Sequence, residues 1–485
     1  MKRFINFLVT AVIIIAVAAS AAAYWFGIKA EGEYNAFISD AESQIQQIRL
    51  RDSEYNRGVF SSKSRTIVEI PGPSGLDAPI QFTLRNEIKH GPFPGLNPME
   101  GKWLFRPLLA TVNTEARWNP SARQGIPEAF SPILKKAYFK NKTSIYMNRN
   151  SKSVFDIPPF KALVGQGAKE VLIDWKGLSG NMTFDAETKK YKGYADAPRL
   201  DIAAGDGDLT IKSINFGSDM HKAQSGLFLG DASFKMGLFE FRENKTVSGK
   251  GFKFEGLFVK TSSKAVGSKL SSSFDMELDS YITGNGGKGE GSLNVELKNL
   301  DVESLMRLKK AMKEVQAESM EKGKKGTERA LLSKISEFLP DLMKGSPELL
   351  IKGLKVRTES GELKGRAKVI VDGSNSEMLI NPFLMLGAVS AEADMTATEG
   401  LTEAGFKSFI KNRILKEQRK TGEDVSGEKV DDLAASQTQA MLDKLVNGQI
   451  LARDGGIYSL SVRYDRGNVT LNNRPIKFQD LLRFN

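Results

Sequence analysis

The chain has 485 residues, with 69 Lys and Arg against 58 Asp and Glu, so its formal net charge is +11. It contains no cysteine and only two histidines, His90 and His221, which excludes disulfides, thiolate nucleophiles, cysteine-ligated metals and multi-histidine metal sites within one chain. The hydrophobic share of 40% is ordinary for a globular protein and excludes wholesale disorder.

An uncharged run extends from Phe4 to Phe26, directly after Lys2 and Arg3. As a helix it is long enough to cross a hydrocarbon core of about 30 Å, so we predict a transmembrane anchor over residues 1–28. The two basic residues would keep the N-terminus in the cytoplasm, which places the bulk of the chain in the periplasm of a bacterium with the anchor in its inner membrane. Small residues over 18–23 leave a cleaved signal peptide as the alternative.

Apolar residues at spacings of three and four predict a stalk helix over residues 29–54. The stripe consists of Tyr34, Phe37, Ile38, Ala41, Ile45 and Ile48. It could pair with the same stripe of a second copy, which would make a homodimer, or pack on its own domain. The sequence leaves both readings open.

From residue 55 the apolar pattern changes from helical spacing to alternation. Ile80, Phe82 and Leu84 share one parity, and polar residues occupy the other, as in a strand with one buried face. The same alternation recurs over residues 270–282 and 293–297. We therefore predict a long, mainly antiparallel β-rich region over residues 55–300.

Helical spacing returns after Asp301, which we predict to be an N-cap. The remaining predicted segments are a basic helical segment over 301–345, a β segment over 346–400, a helical segment over 401–448 and a C-terminal hairpin over 449–485. The predicted fold class is thus α+β, with an N-terminal transmembrane helix, a stalk helix, a long mainly antiparallel β region, and then helices and short hairpins.

Several motifs, taken in their order along the chain, resemble those of the bacterial YdgA-type envelope proteins. The motifs are Tyr55-x-Arg57-Gly58-Val59-Phe60-Ser61-Ser62, His90-Gly91-Pro92-Phe93-Pro94, Leu339-Pro340-x-Leu342-x-Lys344-Gly345-Ser346-Pro347 and Tyr464-Asp-Arg-Gly467-Asn-Val-Thr-Leu471-Asn472. Members of that family are single-pass inner-membrane proteins with a periplasmic domain of unknown function. The resemblance covers the chain from the N-terminal segment to the C-terminus. It implies that location and homodimerisation, and it supplies no catalytic residue. Asn473 departs from the pattern, in which glycine follows Leu471-Asn472.

The motif positions are candidate site residues of unknown role. They are Arg57, Gly58, His90, Gly91, Pro92, Gly345, Pro347, Gly467 and Asn472. We expect Gly58 to release the stalk helix into the first strand, with Arg57 as a cation near the helix end, although its planar fork could instead bind a phosphate or carboxylate. His90 could act as a general base, but a histidine that stabilises a rigid turn is favoured because no second imidazole or thiol accompanies it.

These observations favour a non-enzymatic scaffold or binding module. Its β-rich region would offer an apolar face to a lipid or a lipidated ligand. An anionic envelope component is a further candidate ligand, because the exported part of the chain is basic, and nucleic acid is not expected in that compartment. One alternative is an interaction protein that acts through homodimerisation. Another is a periplasmic hydrolase centred on His90. No catalytic residue, metal or cofactor is predicted.

Overall fold

The computed structural model describes residues 20–32, 34–35, 49–70, 80–92, 94, 107–118, 133, 136–165, 170–243, 251–283, 287–322, 327–374, 386–421 and 427–476. The chain divides into two compact units. The first comprises residues 1–234, 241–245 and 312–328, and the second comprises residues 235–240, 246–311 and 329–485.

The first unit is built from antiparallel strands. They are β1 (Arg49–Arg57), β2 (Ser61–Ile70), β3 (Ile80–His90), β4 (Leu108–Trp118), β5 (Tyr138–Tyr146), β6 (Ser151–Ile157), β7 (Phe160–Val164), β8 (Val171–Trp175), β9 (Leu178–Asp185), β10 (Lys190–Ala204) and β11 (Gly207–Lys222). Strands β1 to β6 pair in chain order, β6 then pairs with β9, and β9 with β10. Strand β10 also pairs with β8 and β11, and β8 pairs with β7. The residues of β12 (Phe228–Glu243) are divided between the two units.

One face of this sheet is covered by the N-terminal helix, α1, over residues 20–32. Buried residues recur at helical spacing along it, at Ala23, Phe26 and Ala30. Phe26 and Ala30 share a core with Ile88 of β3 and with residues of β4. Alternate residues of β2 are likewise buried, while those between them are exposed. The helix therefore packs on the face of β2 to β4 that the alternation marks as buried.

The second unit contains a second run of antiparallel strands. They are β13 (Gly251–Val266), β14 (Lys269–Thr283), β15 (Lys288–Asp301), β16 (Glu348–Thr358), β17 (Gly361–Val371), β18 (Val389–Thr398), β19 (Ala452–Asp454), β20 (Ile457–Asp465), β21 (Asn468–Leu471) and β22 (Arg474–Ile476). Strands β13 to β18 pair in chain order, and β18 pairs with β20. Strand β20 pairs with β19 and β21, and β21 with β22.

Helices are inserted between these strands. They are α2 (Val302–Lys322), α3 (Thr327–Met343), α4 (Glu399–Thr421) and α5 (Gly427–Asn447), with a short 3-10 turn at Leu386–Ala388. Asp301 caps α2 as predicted, because its carboxylate accepts a hydrogen bond from the Ser304 N–H at 2.8 Å. Helix α4 packs on β17, β18 and β20. Leu442 of α5 shares a core with Tyr458 of β20.

The predicted α+β class, with its transmembrane helix and stalk, is wrong. Antiparallel strands dominate both units, and β1 begins at Arg49, inside the predicted stalk. Among the residues that the structure describes, no helix is both long enough and apolar enough to span a membrane. Residues 1–19 of the predicted anchor and 36–48 of the predicted stalk lie outside the described residues. In the described part of the run, Ala23 and Phe26 are buried, Phe26 in a core shared with the sheet, whereas Tyr24 and Trp25 are 45% and 50% exposed.

Candidate functional site

His90 lies at the end of β3, where its ring contacts α1. The residue is 4% exposed. Its Nδ1 donates to the Val59 carbonyl oxygen at 3.0 Å, so Nε2 of the neutral ring accepts a hydrogen bond from Ser62 Oγ at 2.8 Å. A Cβ on Gly27 of α1 would lie 2.7 Å from His90 Nδ1. A glycine is therefore required where the helix passes the ring.

Arg57 reaches the same helix from the end of β1. Its guanidinium is 2.7 Å from the Glu31 carboxylate and 5.2 Å from the centre of the Tyr24 ring. Both partners of this ion pair are 32% exposed, which limits its contribution to about 1 kcal/mol. The prediction that Gly58 releases a helix into a strand is wrong, because a strand precedes it. Gly58 instead closes the β1–β2 hairpin, where its N–H donates to the Ser61 carbonyl at 2.9 Å.

Two tyrosines complete the contact between α1 and the sheet. The hydroxyl groups of Tyr34 and Thr66 are 2.7 Å apart. The ring centres of Tyr34 and Tyr55 are 5.3 Å apart. Burial raises the pKa of the Tyr55 phenol above its usual 10.0. Polar contacts therefore flank the apolar packing of α1.

Gly91 and Pro92 run beside β4 rather than forming the isolated turn that the motif predicts. The Gly91 N–H donates to the Leu109 carbonyl at 2.8 Å, and the Leu108 N–H donates to the Pro92 carbonyl at 3.0 Å. A Cβ on Gly91 would lie 2.1 Å from the Leu108 carbonyl oxygen. Close backbone approach therefore accounts for the glycine.

The Ser62–His90 pair has the contact of a nucleophile and its base, but its surroundings oppose catalysis. The two residues are 1% and 4% exposed, and α1 lies over them. The nearby backbone N–H groups of Gly58 and Gly91 already donate to carbonyl oxygens, so they are not available to an oxyanion. Within the described ranges, no group of three His, Asp or Glu could hold a metal ion. The Ser62–His90 pair is best explained as part of the surface against which α1 packs.

We expect His90→Ala to loosen α1 without unfolding the sheet. The substitution removes two side-chain hydrogen bonds and leaves a cavity under Gly27, at a cost of about 2 kcal/mol. Hydrogen exchange of the α1 amides should become at least about tenfold faster. His221→Ala is the matched control, because His221 is exposed. Unchanged exchange in α1 of the His90 variant would contradict this role.

In the second unit, Gly345 and Pro347 join α3 to the ends of two strands. A Cβ on Gly345 would lie 2.2 Å from the Asn299 carbonyl oxygen of β15. The Pro347 carbonyl accepts a hydrogen bond from the Val371 N–H of β17 at 3.1 Å. Both motif residues thus stabilise the connection between α3 and the sheet.

Gly467 and Asn472 lie in the last two hairpin turns. Gly467 (φ 96°) follows Arg466 (φ 48°), and Asn472 (φ 44°) precedes Asn473 (φ 63°). Two successive residues with positive φ are the mark of a type I′ turn, which suits the twist of a hairpin. Asn473 therefore adopts the left-handed conformation that the expected glycine would provide.

The Asn472 side chain also connects this hairpin to the end of α5. Its Oδ1 accepts from the Ser461 N–H at 2.9 Å. Its Nδ2 donates to the carbonyl oxygens of Gln449 and Ile450, each at 3.0 Å. The motif residues thus stabilise junctions in two separate units, and they do not converge on one reactive centre.

A different feature of the second unit has the properties of a binding surface. Because residues in register across an antiparallel sheet share a face, the pairings align apolar residues from β13 to β18 in two adjacent rows. One row is Val259, Met276, Leu293, Leu354, Gly365 and Met395, and the other is Thr261, Phe274, Val295, Ile351, Ala367 and Ala393. We call these two rows the apolar face.

None of the residues of the apolar face is buried. Met395 is 38% exposed, and Leu349, in the next row, is 41% exposed. The two rows continue into Leu460 and Val462 of β20, and Leu460 packs in the core that α5 forms. Among the described residues, helices α4 and α5 therefore cover the β17 to β20 end of this surface and leave its β13 to β16 part without a covering helix.

The opposite face of the same strands is charged. Lys352 lies 2.6 Å from Glu296, Lys364 lies 2.6 Å from Glu362, and Arg366 lies 2.9 Å from Asp394. Hydrogen bonds from the two lysines hold the pKa values of Glu296 and Glu362 below the usual 4.5. The sheet thus has one face that interacts well with water and one that does not.

Comparison with known proteins assigns the chain to a family but indicates no activity for it. The family model described as "Bacterial protein of unknown function (DUF945)" matches residues 1–479. Among curated proteins, none matches the sequence.

Proposed function

We propose that this chain, which belongs to the DUF945 family of bacterial proteins of unknown function, is a binding module for the acyl chains of lipids. The ligand would lie along the apolar face. The observation that carries the proposal is that two rows of apolar residues cross β13 to β17 in register while none of their members is buried. Soluble monomers rarely expose a contiguous apolar surface of this kind without a partner for it.

The composition of the apolar face favours an acyl chain over a protein partner. Protein interfaces carry about one hydrogen bond per 100–200 Å². The two rows offer Thr261 as their one polar side chain, and hydrocarbon needs none. Methionine, which the face carries at positions 276 and 395, can adapt to chains of different shape.

Charge favours an anionic amphiphile. The chain carries a net charge of +11, which attracts anionic headgroups and repels cationic ones. A lipid ligand also fits the periplasmic location that the resemblance to YdgA-type envelope proteins implies. The alternative of a hydrolase centred on His90 is less well supported, because α1 covers Ser62 and His90. The stripe that suggested homodimerisation lies mostly outside the described residues.

The test is binding of a fluorescent long-chain fatty acid, such as cis-parinaric acid, to the full chain and to two variants. Leu293→Gln places an amide on the apolar face, and we expect the affinity to fall at least about tenfold, because polar surface replaces apolar surface against the ligand. Ser292→Gln is the matched control, since its side chain lies on the opposite face of β15 next to Leu293. It should bind like the parent chain.

Thermal unfolding of both variants separates a binding defect from a folding defect. The proposal is supported if Leu293→Gln loses affinity while its melting temperature stays within a few degrees of that of Ser292→Gln. Equal affinities for the two variants, or no binding by the parent chain, would overturn it. If Leu293→Gln does not fold, Val295→Gln provides the same comparison on the second row.

A further inference from the structure

The first unit has a concave, polar surface on the face of β1 to β6 that lies opposite α1. Its cavity has a volume of about 1000 Å³, and Val154 is the one aliphatic residue among those that line it. Both signs of charge line it: the cations are Lys63, Arg65, Arg85, Lys140 and Lys142, and the carboxylates are Glu54, Glu87, Glu115 and Asp156. This cavity is in a different unit from the apolar face, so it needs an explanation of its own.

Two arginines of the lining occupy directly opposite positions on neighbouring strands. Arg65 of β2 is directly opposite Arg85 of β3, and both are exposed. Like charges in directly opposite positions destabilise a sheet. Glu54 is opposite Arg65 and Glu115 is opposite Arg85, so carboxylates are near enough to neutralise both.

Neither arginine forms an ion pair with those carboxylates. Within the described residues, the structure records no ion pair for Arg65 or Arg85, and Glu115 pairs instead with Arg117 of its own strand. Each guanidinium group therefore keeps N–H donors that no carboxylate in the described part of the chain occupies. Neighbouring guanidinium groups of this kind in a polar cavity can bind an oxyanion bidentately. Asn56 and Asn113 in the same cavity add neutral hydrogen-bonding groups.

We propose that Arg65 and Arg85 form a binding site for a phosphate group carried on a polar molecule. The phosphate lies between the two guanidinium groups and removes their mutual repulsion, while the polar walls of the cavity contact the remainder of the molecule. The phosphate could belong to a soluble phosphate ester or to the headgroup of a phospholipid. This inference is independent of the acyl-chain site and does not require it.

The experiment compares the parent chain with the double variant Arg65→Gln/Arg85→Gln, using two probes. Glycerol 3-phosphate is titrated calorimetrically, and vesicles of phosphatidylglycerol are used in co-sedimentation against vesicles of phosphatidylcholine. Lys152→Gln is the matched control, because Lys152 is an exposed cation on the same face that does not line the cavity. We expect the double variant to lose at least tenfold in affinity and Lys152→Gln to keep the parent affinity.

Thermal unfolding provides the second readout. Without ligand, Arg85→Gln should melt at the same temperature as the parent or higher, because it removes the repulsion. A soluble ligand, represented by glycerol 3-phosphate, should raise the melting temperatures of the parent and of Lys152→Gln but not that of the double variant. Response to the soluble ester identifies a soluble ligand, and response confined to phosphatidylglycerol vesicles identifies a headgroup; loss of either in the double variant supports the site. The proposal would be overturned if the parent chain bound neither probe or if the double variant kept the parent affinity. A marked loss of stability in Arg85→Gln would also overturn it.

Discussion

Replacing Gly91 with alanine should destabilise the first unit by on the order of 3 kcal/mol. The added Cβ would lie 2.1 Å from the Leu108 carbonyl oxygen, so β4 must move away. Leu109 and Ala110 of that strand are 7% and 0% exposed and pack beneath α1, so the movement opens this core. Urea unfolding followed by circular dichroism measures the loss.

Gly32→Ala supplies the control for the same chemical change. No atom lies within 4 Å of a Cβ at that position of α1. Because alanine is the better helix former, this variant should be unchanged or about 1 kcal/mol more stable. Equal losses in the two variants would mean that the close approach of Gly91 to β4 does not explain its place in the motif.

Strand positions could be predicted where one face is buried. Alternation over residues 80–88 predicted a strand, and β3 extends from Ile80 to His90. The pattern is visible because buried positions such as Ile88, which is 2% exposed, select apolar residues at every second place. The cap at Asp301 was predictable for a local reason, since an N-cap needs only a side chain and the next turn.

Elements that depend on distant partners could not be predicted in this way. The strand β1 has no clear alternation, and its pairing with β2 decides its conformation. Hydropathy cannot distinguish lipid from a protein surface as the environment of a helix, so the apolar side of α1 was read as membrane-facing although Phe26 packs on the sheet. Only the fold shows that the ring of His90 requires glycine at position 27.

The apolar face illustrates the same limit. Alternation over 270–282 and 293–297 identified strands with an apolar side, which is the local part of the information. Whether another layer covers that side depends on where the helices pack: α4 contacts β17, β18 and β20, and no helix of the described residues packs extensively on β15. The alternation therefore predicted an apolar side in the β-rich region, and the register of the strands was needed to place it.

Replacing Asn472 with alanine should destabilise the second unit by about 3 kcal/mol. The variant loses three side-chain hydrogen bonds, to Ser461, Gln449 and Ile450, each worth about 1 kcal/mol. It also places alanine at a φ of 44°, where a residue with a Cβ is strained. The end of α5 and the turn before β22 should loosen together, which hydrogen exchange of the two segments measures.

Asn473→Ala separates the two contributions, because it makes the same substitution at a φ of 63° in the same turn. For Asn473, no side-chain hydrogen bond is recorded within the described residues, so this variant should lose only the conformational part, about 1 kcal/mol. The difference between the two variants therefore measures the hydrogen bonds that attach the hairpin to α5. If both variants lose the same stability, those bonds contribute nothing net, and the backbone geometry of the turn alone would have to explain why asparagine occupies position 472.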